Sequence, residues 1–145
     1  MLLVRTMPTD TQEETQVALQ YAIELEHATI PPYLTALYSL KPGTNVAIAG
    51  LISGIVFQEM QHMAHAANIL NAIAGQPQVD RLDFIPRYPG GLPFHIGDRN
   101  GQHFDVPLQR FSLDLVQNVF MRIEEPDQPI VFPVGTRMAA LIAEE

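Results

Sequence analysis

One apolar stripe constrains the fold of this chain more than any other feature of its sequence. Through residues 45–74, apolar side chains recur every three or four positions: Ile48, Leu51 or Ile52, Ile55, Met63, Ala66, Ile69 or Leu70, and Ile73. This spacing puts them on one side of an α-helix. A helix of about 29 residues is roughly 43 Å long, and long helices of this kind usually pair in bundles.

Four segments in all carry helical spacing or helical composition. Thr11 and Glu14 form a capping-box pattern, which predicts where the first helix begins. Pro31 and Pro32 lack amide donors, so we expect a kink or a break near residue 30. Thr44 or Asn45 for the second helix and Ser112 for the third are the candidate N-caps. The predicted helices cover residues 11–40, 45–74, 112–125 and 136–145, the last being short or incomplete.

Residues 76–110 are rich in proline, glycine and aromatic residues and join the second helix to the third. Asn100-Gly101 lies between two short alternating segments, residues 95–96 and 104–106, which favours a type I′ β-hairpin. A connection this long is uncommon in a compact domain unless it has a function or is disordered. We expect an ordered cover containing a hairpin, and a disordered linker is the alternative.

The charge balance and the absence of cysteine restrict the partners of the chain. Sixteen acidic and 8 basic residues give a formal charge of −8, which disfavours nucleic acid and anionic membranes and favours cations. Without cysteine, a metal ion must be held by carboxylate, imidazole, carbonyl or water. The longest apolar run is shorter than the roughly 20 residues of a bilayer span, and the amino terminus lacks signal-peptide features. We therefore expect one cytoplasmic domain over residues 1–145.

Glu59 and His62 interrupt the apolar stripe of the second helix. An ionised carboxylate in a core costs several kcal/mol unless a cationic partner meets it. Glu-x-x-His places both side chains one turn apart on the same face, as in the carboxylate-bridged metal sites of helical bundles. The alternative is a Glu–His pair that is hydrogen-bonded to itself at a helix interface.

Two other predicted helices each offer a carboxylate on an apolar face. Glu26 lies on the inward stripe of the first helix, whereas Glu24 does not. Glu124 follows the apolar line of the third helix, and Glu125 falls on its polar side. The alternatives are a partly exposed Glu26 and a pair of glutamates that fray before Pro126.

Together these residues predict a metal site. Carboxylates from three helices would repel one another unless a cation compensates their charge, and carboxylates with one imidazole suit iron or manganese. His65 lies one turn beyond His62, and three roles are open for it: a further metal ligand, a hydrogen-bond donor to a ligand, or an interface histidine without a metal. Tyr33 shares the stripe of Glu26 and can line a cavity. For His95 and His103, beside the hairpin, surface roles are expected.

Four strings of the sequence, in consecutive order over roughly residues 15–126, resemble the ferritin-like domain of the iminophenyl-pyruvate dimer synthase family. They are LQYAIELEHATIPPYLTALYSL, EMQHMAHAANILNAIAGQP, FIPRYPGGLP and FMRIEEP. The resemblance implies a mainly α, ferritin-like four-helix bundle, with a long loop or β-hairpin insertion between helices 2 and 3. It implies metal ligands at Glu26, Glu59, His62 and Glu124. It also implies oxidative coupling of amino-acid-derived imines in bis-indole pigment and antibiotic biosynthesis.

The chain departs from that family in two respects. Those synthases carry this domain inside a much longer chain, so the full dimerisation reaction is not expected of these residues alone. Their fourth helix begins with a Gly-Glu-Phe-Tyr-like string, where this chain has Gly135-Thr136-Arg137-Met138 and no carboxylate. A second metal position would then need Glu144, Glu145 or another subunit.

Three functions remain open at this level. The first is an oxidase that uses one or two iron ions, or manganese, on an aromatic or amino-acid-derived substrate, with residues 76–110 shaping the pocket. The second is an iron-binding or iron-storage protein without organic chemistry. The third is a metal-free helical interaction domain. A homo-oligomer is expected, and the catalytic residues and the substrate stay unassigned.

Overall fold

Two long helices carry the fold in a computed structural model of the chain, which describes residues 9–98 and 102–125. Helix α1 spans Gln12–Ser39 and helix α2 spans Val46–Ala72. A third helical segment, α3, consists of α-helical Leu113–Leu115, π-helical Val116–Phe120 and α-helical Met121–Ile123. A mainly helical fold with an insertion between α2 and α3 is thereby confirmed. The predicted fourth helix, residues 136–145, lies outside the described residues.

Two of the predicted helix caps are formed. The hydroxyl of Thr11 accepts from the amide of Glu14 at 3.2 Å, and the Glu14 carboxylate accepts from the amide of Thr11 at 3.0 Å. Ser112 accepts from the amide of Leu115 at 3.0 Å and so begins α3. Asn45 occupies the position before α2, but its side chain makes no capping hydrogen bond.

Helix α1 continues through its two prolines, so the break that was one of the two outcomes predicted near residue 30 does not occur. Pro32 has no N–H, and the carbonyl of Ala28, four residues earlier, therefore loses its usual helical donor. The hydroxyl of Tyr88 donates to that carbonyl at 2.7 Å. A side chain of the insertion thus replaces the missing helical hydrogen bond.

Three glutamines of α1 hold the end of α2. The side-chain amides of Gln12 and Gln16 both donate to the carbonyl of Ile73, at 2.7 and 2.9 Å. Gln20 donates to the carbonyl of Gln78 at 3.1 Å and accepts from its amide at 2.9 Å. Because the start of α1 meets the end of α2, the two helices run antiparallel, and a carbonyl left free at the end of α2 is satisfied.

The core lies where α1, α2, α3 and the insertion meet. Leu92, Ile96, Phe104 and Val106 of the insertion are all buried there. They pack with the buried helix residues of the same cluster: Leu25, Ala28, Ile30, Tyr33, Ala36, Ile52, Val56, Leu115, Phe120 and Ile123. The insertion therefore covers the helices with its own apolar side chains.

The insertion contains a short hairpin whose first strand is not the predicted one. Strand β1, Gly90–Gly91, pairs antiparallel with strand β2, Asp105–Val106, with Gly90 opposite Val106. Residues 95–96, predicted as the first strand, are not in a strand: Pro93–His95 forms a 3₁₀ turn, in which Phe94 and His95 have φ of 62° and 57°. The predicted Asn100-Gly101 turn lies outside the described residues.

Helix α3 turns Leu115, Phe120 and Ile123 toward the core, whereas Leu113, its first residue, is 72 % exposed. The π turn over Val116–Phe120 adds one residue to a helical turn and so rotates the positions that follow it. None of the described helices has the length and apolarity that crossing a membrane requires.

Replacing Ala74 with glycine should stabilise the protein. Ala74 follows α2 with a φ of 59°, a left-handed conformation that costs a residue with a Cβ about 1–2 kcal/mol. Glycine adopts this conformation without that cost, although it loses more conformational entropy on folding than alanine does. The first effect is the larger, so the free energy of unfolding should rise by about 0.5–1 kcal/mol. Urea denaturation measures the change.

The matched control is Ala64→Gly, at an exposed position inside α2. There, glycine should lower the free energy of unfolding by about 1 kcal/mol. A loss of stability in Ala74→Gly would contradict the prediction.

Candidate metal centre

Helices α1 and α2 bring three of the predicted ligands together. Glu26, Glu59 and His62 each offer one ligand atom, and these three atoms all lie within 4.8 Å of one another. The Nδ1 atom of His62 lies 3.6 Å from Oε2 of Glu26. Glu59 is buried, Glu26 is partly buried and His62 is exposed. The group therefore extends from the helix interface to the surface.

Glu59 is the innermost of these groups, and a buried hydroxyl orients it. The hydroxyl of Thr29, which is fully buried, lies 2.9 Å from Oε2 of Glu59 and 2.8 Å from the backbone carbonyl of Glu26, so both oxygens can accept from its one proton. Thr29 lies one turn beyond Glu26 on α1, so the same stripe carries both a carboxyl group and a donor. This role of Thr29 was not predicted, although its spacing from Glu26 was a signal for it.

Glu26 favours its protonated form when no cation is bound. Burial raises its pKa to about 9, together with a hydrogen bond to Glu59 and the negative charges of Glu59 and Glu124. No lysine or arginine forms an ion pair with Glu26 or Glu59 in the part of the chain that the structure describes. Near neutral pH the Glu26 carboxyl group therefore keeps its proton beside Glu59, and a metal ion could take the place of that proton.

Glu124 lies at the rim of the group rather than inside it. The residue as a whole is exposed. Even so, Oε1 of Glu124 accepts a 2.7 Å hydrogen bond from the hydroxyl of buried Tyr33, and its charge contributes to the raised pKa of Glu26. Burial, with the bond to Glu124, also raises the pKa of Tyr33, so its hydroxyl stays a donor.

The remaining histidines of the two helices stand apart from this group. His65 is exposed and is not one of the three clustered residues. The ring of His27 packs on Phe84, with 4.4 Å between the ring centroids, and burial lowers its pKa. Neither residue contributes to the ligand cluster in this arrangement.

The Glu26 carboxyl group should make the metal-free protein less stable as the pH rises. Its pKa is raised from 4.5 to about 9 in the folded chain, so folding takes up a proton between those two values. The free energy of unfolding should therefore fall through that window, and the fall should be smaller in Glu26→Gln. Urea denaturation of chelator-treated protein between about pH 5 and 8.5 measures it.

Glu24→Gln is the control, because it removes a carboxylate two positions away on the same helix. It should keep the wild-type dependence on pH. Equal slopes for wild type and Glu26→Gln would show that Glu26 is ionised in the folded protein.

Comparison with known proteins agrees with this architecture. A family model described as Ferritin-like matches residues 19–144, which include most of α1, all of α2 and α3, and the four candidate ligands. Searches among curated proteins and among solved structures found no match. The family match supports the broad class and does not single out the iminophenyl-pyruvate dimer synthases. A mainly helical, ferritin-like bundle with an insertion is thus confirmed, and the chain belongs to the ferritin-like family.

Proposed function

We propose that this chain binds iron through Glu26, Glu59 and His62, with Glu124 as a further ligand. We also propose that it acts as an oxidase on aromatic or amino-acid-derived substrates. The clustering of two carboxyl groups and an imidazole within 4.8 Å carries the proposal. Manganese is the alternative ion, since it accepts the same oxygen and nitrogen ligands.

The donor set fits such an ion. Two carboxylates balance the charge of a divalent cation, and a neutral imidazole adds a nitrogen ligand. Thr29 already donates to Glu59 and would hold that carboxylate in place, as outer-shell donors do for metal ligands. Binding requires that Glu26 lose its proton, so the affinity for iron should rise with pH.

Glu124 can join the site without giving up its hydrogen bond to Tyr33. That bond occupies Oε1 at 2.7 Å, and a carboxylate has a second oxygen that can bind a cation. Tyr33 would then act as a positioning residue that holds Glu124 at the rim of the group. The described residues thus offer up to four ligands.

Bound iron would supply redox chemistry with dioxygen. The exposed side chain of His62 lies at the surface end of the group, so a substrate can approach from that side. The resemblance noted in the sequence supports amino-acid-derived imines as the substrate class. Coupling two such molecules removes two electrons and two protons, which dioxygen could accept to give hydrogen peroxide.

A metal-free helical domain is the second candidate function, because the polar groups of the centre partly satisfy one another. Thr29 donates to Glu59 at 2.9 Å, and Glu26 also bonds to Glu59. A homo-oligomer also remains a proposal. Its support is the exposed apolar side chains on α2, namely Val46, Leu51, Phe57, Met60 and Ile69.

Metal analysis of protein purified without chelator tests the binding. We expect about one equivalent of iron or manganese in the wild type, and loss of that ion in Glu59→Gln and in His62→Ala. Glu24→Gln and His65→Ala are matched controls on the same two helices and should retain it. Circular dichroism checks that the variants stay folded. An equal metal content in all variants would remove this site, and a wild type free of metal would favour the interaction domain.

Dioxygen uptake tests the oxidase. Iron-loaded protein is given an imine generated in place from an aromatic amino acid, and oxygen consumption and hydrogen peroxide are followed. We expect uptake that depends on the imine and is lost in Glu59→Gln. If iron binds but oxygen uptake does not respond to any such imine, the chain holds iron without this chemistry.

A further inference from the structure

A second group of metal-ligating side chains lies in the insertion. His95, Asp98 and His103 each offer one ligand atom, and these atoms lie within 4.8 Å of one another. Oδ2 of Asp98 stands 3.1 Å from Nδ1 of His95 and 3.1 Å from Nδ1 of His103. None of these residues belongs to the centre between α1 and α2.

Both ring nitrogens of His103 face carboxylates. Nδ1 faces Asp98 at 3.1 Å, while Nε2 lies 3.4 Å from Oδ1 of Asp105. A histidine that ligates a metal commonly donates its other ring N–H to a carboxylate, which fixes the tautomer. In the absence of a metal ion, a proton on Nδ1 of His103 can be donated to Asp98. With its proton on Nε2 instead, His103 would turn the lone pair of Nδ1 toward Asp98, where a cation could bind to both.

The backbone around the cluster is held in a defined shape. A Cβ on Gly91 would lie 2.6 Å from Cε1 of His103, so the absence of a side chain at Gly91 gives the imidazole its place. The other oxygen of Asp98, Oδ1, accepts from the amide of Phe104 at 2.7 Å. The guanidinium of Arg122 lies 4.4 Å from the centre of the Phe104 ring. The ligand residues are therefore anchored to the core and to α3.

We propose that His95, Asp98 and His103 form a surface site for a divalent transition-metal ion of the zinc type. Ligand atoms about 2.0–2.1 Å from a tetrahedral Zn²⁺ lie roughly 3.3 Å apart. The two separations of 3.1 Å between Asp98 and the imidazoles are close to that value. Two imidazoles and one carboxylate also match the ligand types of sites that keep a coordination position for water.

The exposure of the three side chains agrees with an open site. The side chains of His95, His103 and Asp98 are 79 %, 52 % and 23 % exposed. Water can therefore complete the coordination, and an ion can enter from solvent. The proposal does not depend on iron binding at Glu26, Glu59 and His62.

Zinc titration of the chelator-stripped chain tests the site against the core centre. The parent is His62→Ala, which weakens the core site at an exposed residue. Each of three substitutions is then added separately to this parent: His95→Ala, His103→Gln, or the control His65→Ala. We expect the parent and the control to bind about one equivalent of Zn²⁺, and each ligand variant to bind it at least roughly 100-fold more weakly. Circular dichroism confirms that each variant is folded.

A second measurement locates the ion in the wild type. Zn²⁺ should shift the imidazole ¹⁵N resonances of His95 and His103, and it should leave that of His27 in place. Unchanged resonances of His95 and His103 at saturating Zn²⁺ would overturn the proposal. Equal affinities for Zn²⁺ in the parent and in the two ligand variants would also overturn the proposal. That result would not bear on the proposed site at Glu26, Glu59 and His62.

Discussion

The burial of the Glu59 carboxylate between the two long helices is the interaction on which the rest of the arrangement depends. A charged group in such a place costs several kcal/mol unless it is paired and hydrogen-bonded. The chain offers it the hydroxyl of Thr29 at 2.9 Å and the carboxyl group of Glu26, whose pKa is raised by the same burial. The protonated Glu26 carboxyl group avoids a second buried negative charge beside Glu59, and a bound metal ion would compensate both groups.

The insertion is part of the structure of the helices rather than an attachment to them. Tyr88 completes the hydrogen bonding of α1 at Ala28, where Pro32 offers no amide. At the other end of the insertion, Arg122 of α3 donates to the carbonyl of Gly97 at 2.8 Å. These contacts link the insertion to α1 and to α3.

The sequence predicted the parts of the fold that depend on local periodicity. The boundaries of α1 and α2 and the capping box at Thr11 follow from residues close in the chain, and the stripe that contains Glu59 reports directly which face is buried. The continuity of α1 through Pro32 could not be predicted in this way, because it depends on Tyr88, which is distant in sequence. The strand pairing of Gly90–Gly91 was missed for a related reason: glycine gives no strand signal, and its partner lies beyond a long turn.

In the candidate site, too, the residues that could be predicted are those placed by local helical periodicity. Glu26, Glu59 and His62 meet because each lies on a helical face whose period is readable, and two antiparallel helices bring those faces together. Glu124 follows a π-helical stretch that no residue pattern predicted, and its carboxylate reaches the centre through the hydroxyl of Tyr33 although the residue itself is exposed.

The contact between Tyr33 and Glu124 nevertheless ties α3 to the centre. Tyr33 is fully buried on α1, and its hydroxyl lies 2.7 Å from Oε1 of Glu124. The charge of Glu124 disfavours ionisation of Glu26, whereas a bound cation would attract both carboxylates. The same side chain therefore opposes ionisation of Glu26 when no cation is present, and it would attract a cation placed between the two groups. Its exposed position at the rim avoids burying a third carboxylate.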